Sequence, residues 1–219
     1  MIEFAIRNVE LSDLDQIAEV HRASFEDRAL SQLGKSAVKR YYRWLLTGFS
    51  DIYPVCAVST HGKIAGFCFA GVYGGSFSGF LKNNRWFLIG TLMLRPWLFF
   101  KPIVREQATL AIRTLMRLIG KKNIHKTTQK AETPKPSKPT SLGILSIAVH
   151  PDFQRQGVGE LMMAAVEMKA AADGFTQLHL SVHPENTSAV RFYEKSGWQK
   201  TQSRGTWDGK MFKKLNEQE

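Results

Sequence analysis

A short turn with two glycines, Gln154-Arg155-Gln156-Gly157-Val158-Gly159, is the part of this chain best suited to bind an anion. An apolar run from Leu142 to Val149 precedes it, and a helical pattern begins near Gly157. The first N–H groups of a helix lack internal partners and lie at the positive end of the helix dipole. Glycine has no Cβ, so an anion can approach the main chain closely. The spacing therefore predicts a pyrophosphate site, although a plain strand-to-helix turn would carry the same two glycines.

A second group of residues that could do chemistry lies between positions 176 and 198. Thr176 to Val182 alternates as a strand does, and Asn186 or Thr187 can cap a helix that ends at Gly197. Three residues at helical spacing share one face of that helix: Asn186, Ala189 and Tyr193. A tyrosine hydroxyl can protonate a leaving group, although an isolated tyrosine at this spacing is more often an aromatic at the edge of a core.

Together the two segments resemble the GNAT superfamily of acetyl-CoA-dependent N-acetyltransferases. The matching patterns are Val149-x-Pro151-x-x-Gln154-x-x-Gly157-x-Gly159 and Asn186-x-x-Ala189-x-x-Phe192-Tyr193-Glu194-Lys195-x-Gly197-Trp198. The resemblance covers residues 142–200 and, more weakly, 2–72. It implies an α/β chain with a mixed (α+β) sheet, in which a mostly antiparallel central sheet splays open after the fourth strand and is flanked by helices.

The resemblance also implies that acetyl-CoA is the co-substrate. No metal is expected, since no Cys/His cluster has metal-ligand spacing. Main-chain groups of Ile147, Ala148 and Val149 would pair with the pantetheine arm as an added strand does, and one N–H would polarise the thioester carbonyl. N–H groups across Arg155 to Glu160 would hold the pyrophosphate. The full set of predicted acetyl-CoA-binding residues is Ile147, Ala148, Val149, Gln154, Arg155, Gln156, Gly157, Val158, Gly159, Glu160, Asn186, Ala189, Phe192 and Tyr193.

The resemblance implies a general acid but leaves the general base open. The family places a tyrosine general acid at the position of Tyr193, where it would protonate the departing thiolate. Many members carry a carboxylate base on the fourth strand, but after Ser141 the run from Leu142 to Val149 has Ser146 as its only polar side chain. The base candidates are Glu26, Asp27 and His183, with His179 and Tyr73 as weaker ones. A relay through water, which needs no single base, is the alternative.

The remaining patterns supply the elements that would position these residues. Alternating residues predict strands over Ile2–Ile6, Val55–Ser59 and Ile64–Val72, and periodic apolar residues predict helices over Ser12–Phe25 and Ser36–Leu46. The second helix has three apolar anchors: Tyr41, Trp44 and Leu45. Trp198–Arg204 and Lys210–Lys214 predict a closing hairpin. The predicted order is β-α-α-β-β, an insert, then β-α-β-α-β-β.

The insert carries the charge of the chain. Thirteen basic and two acidic residues lie between positions 80 and 140, a balance of +11 that equals the formal net charge of the whole chain. We predict one domain over 1–219, with 74–141 as a basic insert. Residues 80–119 have the apolar pattern of two or three helices. The Lys- and Pro-rich residues 121–140 cannot bury a core and predict a mobile connector.

Composition limits the setting. Cys56 and Cys68 lie in apolar runs and lack metal-ligand spacing, which favours buried small side chains. Glu3 and Arg7 interrupt any apolar leader, so a cytoplasmic location is the default expectation. The apolar stretch 86–100 is too short to span a bilayer.

Charge is the only clue to the acceptor. The resemblance implies that the segment between the third and fourth strands lies near the acceptor side, and a positive field there favours a small-molecule amine that carries phosphate, such as a nucleotide-linked amino sugar. Two alternatives to this function stay open: a protein or peptide acceptor, and a CoA-binding protein without catalysis that contacts a membrane surface through 80–120. Association into a homodimer also stays open. Nucleic acid is not expected as a partner, since the lysine-rich loop has no aromatic residue to stack on bases.

Overall fold

One seven-stranded sheet runs through the computed structural model, which describes residues 3–48, 52–72, 76–95, 140–202 and 205–215. The strands are β1 Phe4–Asn8, β2 Ile52–Ser59, β3 Ile64–Gly71, β4 Ser141–Val149, β5 Gln177–Ser181, β6 Gln199–Lys200 and β7 Lys210–Lys214. Their order across the sheet is β1-β2-β3-β4-β5-β7-β6.

Helices cover both faces of this sheet. They are α1 Leu14–Ser24, α2 Ala29–Gln32, α3 Lys35–Gly48, α4 Ser76–Asn83, α5 Arg85–Leu94, α6 Val158–Ala172 and α7 Thr187–Lys195, with 3₁₀ turns at Leu11–Asp13 and Pro151–Phe153. The mixed sheet flanked by helices confirms the predicted fold class. The element order also agrees with the prediction, except for the four-residue helix α2, which is too short to show a periodic pattern.

The sheet opens between β4 and β5. These two strands are parallel and pair over three residues only, from Ser141 opposite Gln177 to Gly143 opposite His179. All other neighbouring strands are antiparallel. Beyond Gly143 the edge of β4 that faces β5 has no strand partner among the described residues, which is the splay that the resemblance implied.

Two hydrophobic clusters lie on opposite faces of the sheet. Every residue of β3 is buried, and its side chains alternate between the faces. Phe67 and Phe69 pack with residues of α1 and α3, whereas Cys68 and Ala70 pack with residues of α6. Burying each phenylalanine side chain contributes about 1.5–3 kcal/mol, so β3 anchors the layer of α1 and α3 beside β4.

Helix α3 is rotated relative to the prediction. The predicted anchor Leu45 is fully buried, but the second fully buried residue is Tyr42, while the predicted anchors Tyr41 and Trp44 are only half-buried. The Tyr42 ring packs edge-on against Phe67, with 5.0 Å between ring centroids. Contacts to β3, which the pattern of α3 alone cannot show, therefore set the buried face of this helix.

Helices α4 and α5 are the described part of the predicted insert, and they begin at Ser76 rather than at residue 80. The guanidinium of Arg40 in α3 lies 4.2 Å from the ring centroid of Phe87 in α5. Arg95 donates a hydrogen bond to the carbonyl of Leu33. The insert helices thus lie beside α2 and α3. Residues 96–139, which include nearly all of the predicted connector, lie outside the described residues.

The outer side of α5 is apolar. The exposed large hydrophobic residues there are Trp86, Ile89, Met93 and Leu94. In the described part of the chain no helix is both long enough and apolar enough to cross a membrane.

Candidate active site

A cleft of about 560 Å³ lies where β4 and β5 separate. All of the predicted acetyl-CoA-binding residues except Gln156 line it. Four further residues, which the sequence did not single out, complete the wall: Ser24, Phe25, Phe153 and Ser188. The structure therefore brings the turn after β4, the end of β4 and one face of α7 together around one space.

The turn at Gln154 to Gly157 has the backbone of an anion-binding loop. Gly157 is the residue before the first turn of α6 and has a φ of +80°. Arg155 has a φ of +61° and is the only non-glycine residue with positive φ in the described ranges. Such a conformation costs about 1–2 kcal/mol outside glycine, and it clusters at functional sites because the surrounding structure must hold it. The side-chain amide of Gln156 donates a hydrogen bond to the carbonyl of Asp152, which explains the position of this side chain outside the cleft.

The edge of β4 presents main-chain groups to the cleft. The N–H of His150 points away from the cleft and donates to the carbonyl of Ala65, at 2.8 Å between N and O. Because successive residues of a strand direct their main-chain groups to opposite edges, Val149 and Ile147 direct theirs into the opening, and Ala148 directs its own toward β3. The carbonyl of Val149 accepts hydrogen bonds from Ser24 Oγ at 3.0 Å and from Gln154 Nε2 at 3.1 Å.

Helix α7 places the buried Tyr193 in the lining of the cleft. The side chain of Asn186, one of the two predicted caps, caps this helix by accepting a hydrogen bond from the N–H of Ala189. The Tyr193 side chain is only 7% exposed and packs against the rings of Phe192 and Trp198. Burial raises the pKa of the Tyr193 phenol well above its usual value near 10. The hydroxyl therefore keeps its proton at any physiological pH.

The base candidates do not line the cleft. Glu26 and Asp27 are exposed in the loop between α1 and α2. His183 is half exposed, and its Nδ1 lies 3.9 Å from the carboxylate of Glu185. His179 lies within β5, where burial lowers its pKa. Tyr73 falls outside the described residues, and within those residues no three metal-ligating side chains are grouped.

The structure reveals a buried polar network that sequence reasoning missed. His21 Nδ1 in α1 lies 2.8 Å from the hydroxyl of Tyr42 in α3, which lies 2.9 Å from Ser146 Oγ in β4. His21 is 7% exposed, and burial lowers its pKa to about 4, so the imidazole is neutral at pH 7. One signal was available: His21 continues the apolar face of α1, which is formed by Leu14, Ile17 and Ala18.

Comparison with known proteins agrees with this geometry. The sequence model of the acetyltransferase (GNAT) family matches residues 14–198. An acetyltransferase of Pectobacterium atrosepticum is 35% identical over 49 residues, which are 22% of this chain and 35% of that protein. The ribosomal protein bS18-alanine N-acetyltransferase of Salmonella typhimurium is 34% identical over 55 residues, 25% of this chain and 37% of that relative. The matches thus span about a third of the length of these curated relatives.

A solved structure extends the likeness to the whole fold. The crystal structure of the PaiA N-acetyltransferase from Thermoplasma acidophilum, in complex with coenzyme A, superposes with a TM-score of 0.57 at 14% identity. The superposition covers 97% of this chain and 99% of that one. The family match and this shared fold confirm the resemblance that the segments around Gly157 and Tyr193 predicted.

Proposed function

Because the chain belongs to the acetyltransferase (GNAT) family, we propose that it transfers the acetyl group of acetyl-CoA to a primary amine by direct attack within a ternary complex. The observation that carries the proposal is the cleft between β4 and β5. It joins an anion-binding turn, an unpaired strand edge and a buried tyrosine hydroxyl. These are the three parts needed to hold a phosphate-bearing thioester and to protonate its leaving group.

The binding residues have separate tasks. N–H groups at the start of α6, with the charge of Arg155, take the pyrophosphate. The N–H of Val149 and the carbonyl of Ile147, which face the opening, pair with the amide-containing pantetheine arm, since the Val149 carbonyl already accepts two hydrogen bonds. The N–H of Ile147 polarises the thioester carbonyl, since an N–H aimed at a developing oxyanion lowers the barrier to attack. Acetyl-CoA itself supplies an activated acyl group with a thiolate as leaving group.

Tyr193 acts as the general acid. Its phenol is protonated at neutral pH, and burial raises its pKa further. It lines the same cleft as Ile147. Protonation of the leaving thiolate by a positioned acid contributes about 10²–10⁴ in rate.

The proton of the attacking amine leaves through water. Glu26, Asp27 and His183 are exposed and outside the cleft lining, so each would act only through an intervening water. An alkylamine is largely protonated at neutral pH. Water that carries its proton to these exposed groups allows the amine to react without a base in direct contact with it.

The acceptor is an anionic amine. The basic insert helices lie beside α2 and α3, where Arg95 reaches the carbonyl of Leu33 and Arg40 lies over Phe87. Lys82 and Arg85 add charge to the same described segment. A concentrated positive field attracts anionic substrates and repels polyamines, which favours a nucleotide-linked amino sugar over spermidine.

The test is a screen of acceptors by release of the free CoA thiol, with acetyl-CoA-dependent melting measured in parallel. We expect a UDP-linked amino sugar to be acetylated faster than spermidine, with a preference that weakens as salt concentration rises. Faster turnover of spermidine would refute the anionic acceptor. Neither stabilisation by acetyl-CoA nor turnover of any amine would refute the enzyme assignment.

A peptide N-terminus is the second candidate acceptor. The observation that favours it is the similarity over 55 residues to the ribosomal protein bS18-alanine N-acetyltransferase of Salmonella typhimurium. The same screen therefore includes a short peptide with an N-terminal alanine. A peptide that outcompetes the sugar at equal concentration would make this chain a protein N-acetyltransferase.

A further inference from the structure

The His21–Tyr42–Ser146 network connects the buried side of α1 with the strand that lines the cleft. Tyr42, in the middle, is fully buried and Ser146 is partly exposed. The next residue along the strand, Ile147, lines the cleft, and so does Phe25, whose ring centroid lies 4.9 Å from that of His21. Neither Ser146 nor His21 lines the cleft itself, but each is next to a residue that does, so both ends of the network lie beside the proposed active site.

Ser146 keeps a free acceptor site whichever way the hydrogens run. Where the Tyr42 hydroxyl donates to Ser146 Oγ, one of the two lone pairs of that oxygen stays free. Where Ser146 donates to Tyr42 and Tyr42 donates to His21, both lone pairs of Ser146 Oγ stay free. In either arrangement the serine oxygen can accept one N–H group.

The position of Ser146 matches the side from which an amine would approach. Ser146 lies opposite Phe69 in β3 and shares the face of the sheet covered by α1 and α3. Tyr193 packs in the cluster on the other face, with α6. The general acid occupies one side of the opening, which leaves the side of Ser146, adjacent to the basic insert helices, for the acceptor.

We propose that Ser146 Oγ accepts a hydrogen bond from the acceptor amine and orients it for attack, with Tyr42 and His21 as positioning residues that hold the serine hydroxyl. This inference rests on the proposed function. No bond to the serine forms or breaks, and the amine proton leaves to water. Tyr42 and His21 stay neutral, so they orient the serine and do not carry charge to it.

The experiment compares Ser146→Ala, Ser146→Thr and Tyr42→Phe with a control, Ser141→Ala, at the far end of the same strand. The acceptor is whichever of the UDP-linked amino sugar, spermidine and the alanyl peptide the wild type acetylates fastest. Ser146→Ala should fold, because the Tyr42 hydroxyl keeps His21 as a partner. Melting curves and the KM values for acceptor and for acetyl-CoA are measured on each variant.

We expect Ser146→Ala to raise the acceptor KM about tenfold, the effect of losing one hydrogen bond to a polar substrate, with the acetyl-CoA KM unchanged. Ser146→Thr should restore it, Tyr42→Phe should raise it severalfold, and Ser141→Ala should match the wild type. An unchanged acceptor KM in Ser146→Ala, or an equal rise in the KM for acetyl-CoA, would overturn the inference. A wild type that acetylates no amine would refute the proposed function, and the inference would fall with it.

Discussion

Gly159, near the start of α6, lies directly against the ring of Phe192 in α7. A Cβ on Gly159 would come within 3.2 Å of Cε2 and Cζ of that ring. Both residues line the cleft. The missing side chain therefore sets how closely the anion-binding turn can approach the helix that carries Tyr193.

Gly159→Val should obstruct the cleft. The added side chain must displace the Phe192 ring or widen the gap between α6 and α7, and either change misplaces the N–H groups of the turn. We expect acetyl-CoA affinity to fall at least tenfold, about 1.4 kcal/mol, in isothermal titration. Gly90→Val in α5 is the matched control, because a Cβ at Gly90 meets nothing within 4 Å. Equal affinities for the two variants would contradict the close approach.

Tyr193→Phe should separate catalysis from binding. The substitution removes the buried hydroxyl and keeps the ring that packs on Phe192 and Trp198. We expect kcat to fall about 10²-fold or more while the dissociation constant of acetyl-CoA stays within about twofold. The same change at Tyr53, whose hydroxyl donates to Asp173 away from the cleft, should leave kcat unchanged. A normal kcat in Tyr193→Phe would remove the general-acid assignment.

Arg155→Asn should weaken phosphate binding without destabilising the fold. Asparagine tolerates the left-handed backbone that Arg155 adopts at φ +61°, so the turn should keep its shape. The loss of one cation should lower acetyl-CoA affinity about fivefold at low ionic strength, and the difference should shrink in high salt. Titration at two salt concentrations and a melting curve check both points. A deficit that is independent of salt would indicate a damaged turn rather than a lost charge.

His21 should make stability fall as the pH falls. Its pKa is about 4 in the folded chain, against 6.5 for an unperturbed histidine. In the unfolded chain the His21 imidazole therefore binds a proton below about pH 6.5, whereas in the folded chain it binds one only below about pH 4. Stability is fully present above pH 6.5, and about 2 kcal/mol of it should be lost at pH 5.

The measurement is urea unfolding at pH 7.5 and pH 5 of the wild type and of His21→Asn. Asparagine keeps a hydrogen-bonding group near the position of Nδ1 but does not titrate. The variant should start less stable and should lose about 2 kcal/mol less than the wild type between the two pH values. Identical losses would show that His21 is solvated in the folded state.

The cleft residues were predictable because their signals are local. The turn at Gly157 and the cap at Asn186 each depend on a few neighbouring residues. The turn lies at the start of α6, and Asn186 accepts the hydrogen bond of a helix cap from Ala189. The opening of the sheet also followed, but from the resemblance of these segments to a known family rather than from the composition of β4.

The polar network could not be predicted in the same way. His21 and Tyr42 are 21 positions apart, and Tyr42 and Ser146 are 104 positions apart. Their contact depends on the rotation of α3 about its own axis. The sequence pattern of α3 alone predicted Tyr41 and Trp44 on the buried face. The packing of Phe67 and Phe69 decides that rotation, and these residues belong to another element. The absence of a carboxylate on β4 was visible in the sequence. The role of Ser146 was not, because its hydrogen-bond partner Tyr42 lies in another element.

The two hydrogen bonds to the Val149 carbonyl have a consequence for self-association. An unpaired strand edge is a template on which another extended chain can grow, and it is a common starting point for aggregation. Ser24 and Gln154 already occupy the last inward-facing acceptor of β4, so a foreign strand would find no partner at that position. At Val149 the two hydrogen bonds thereby hinder pairing of the β4 edge with another copy of the chain.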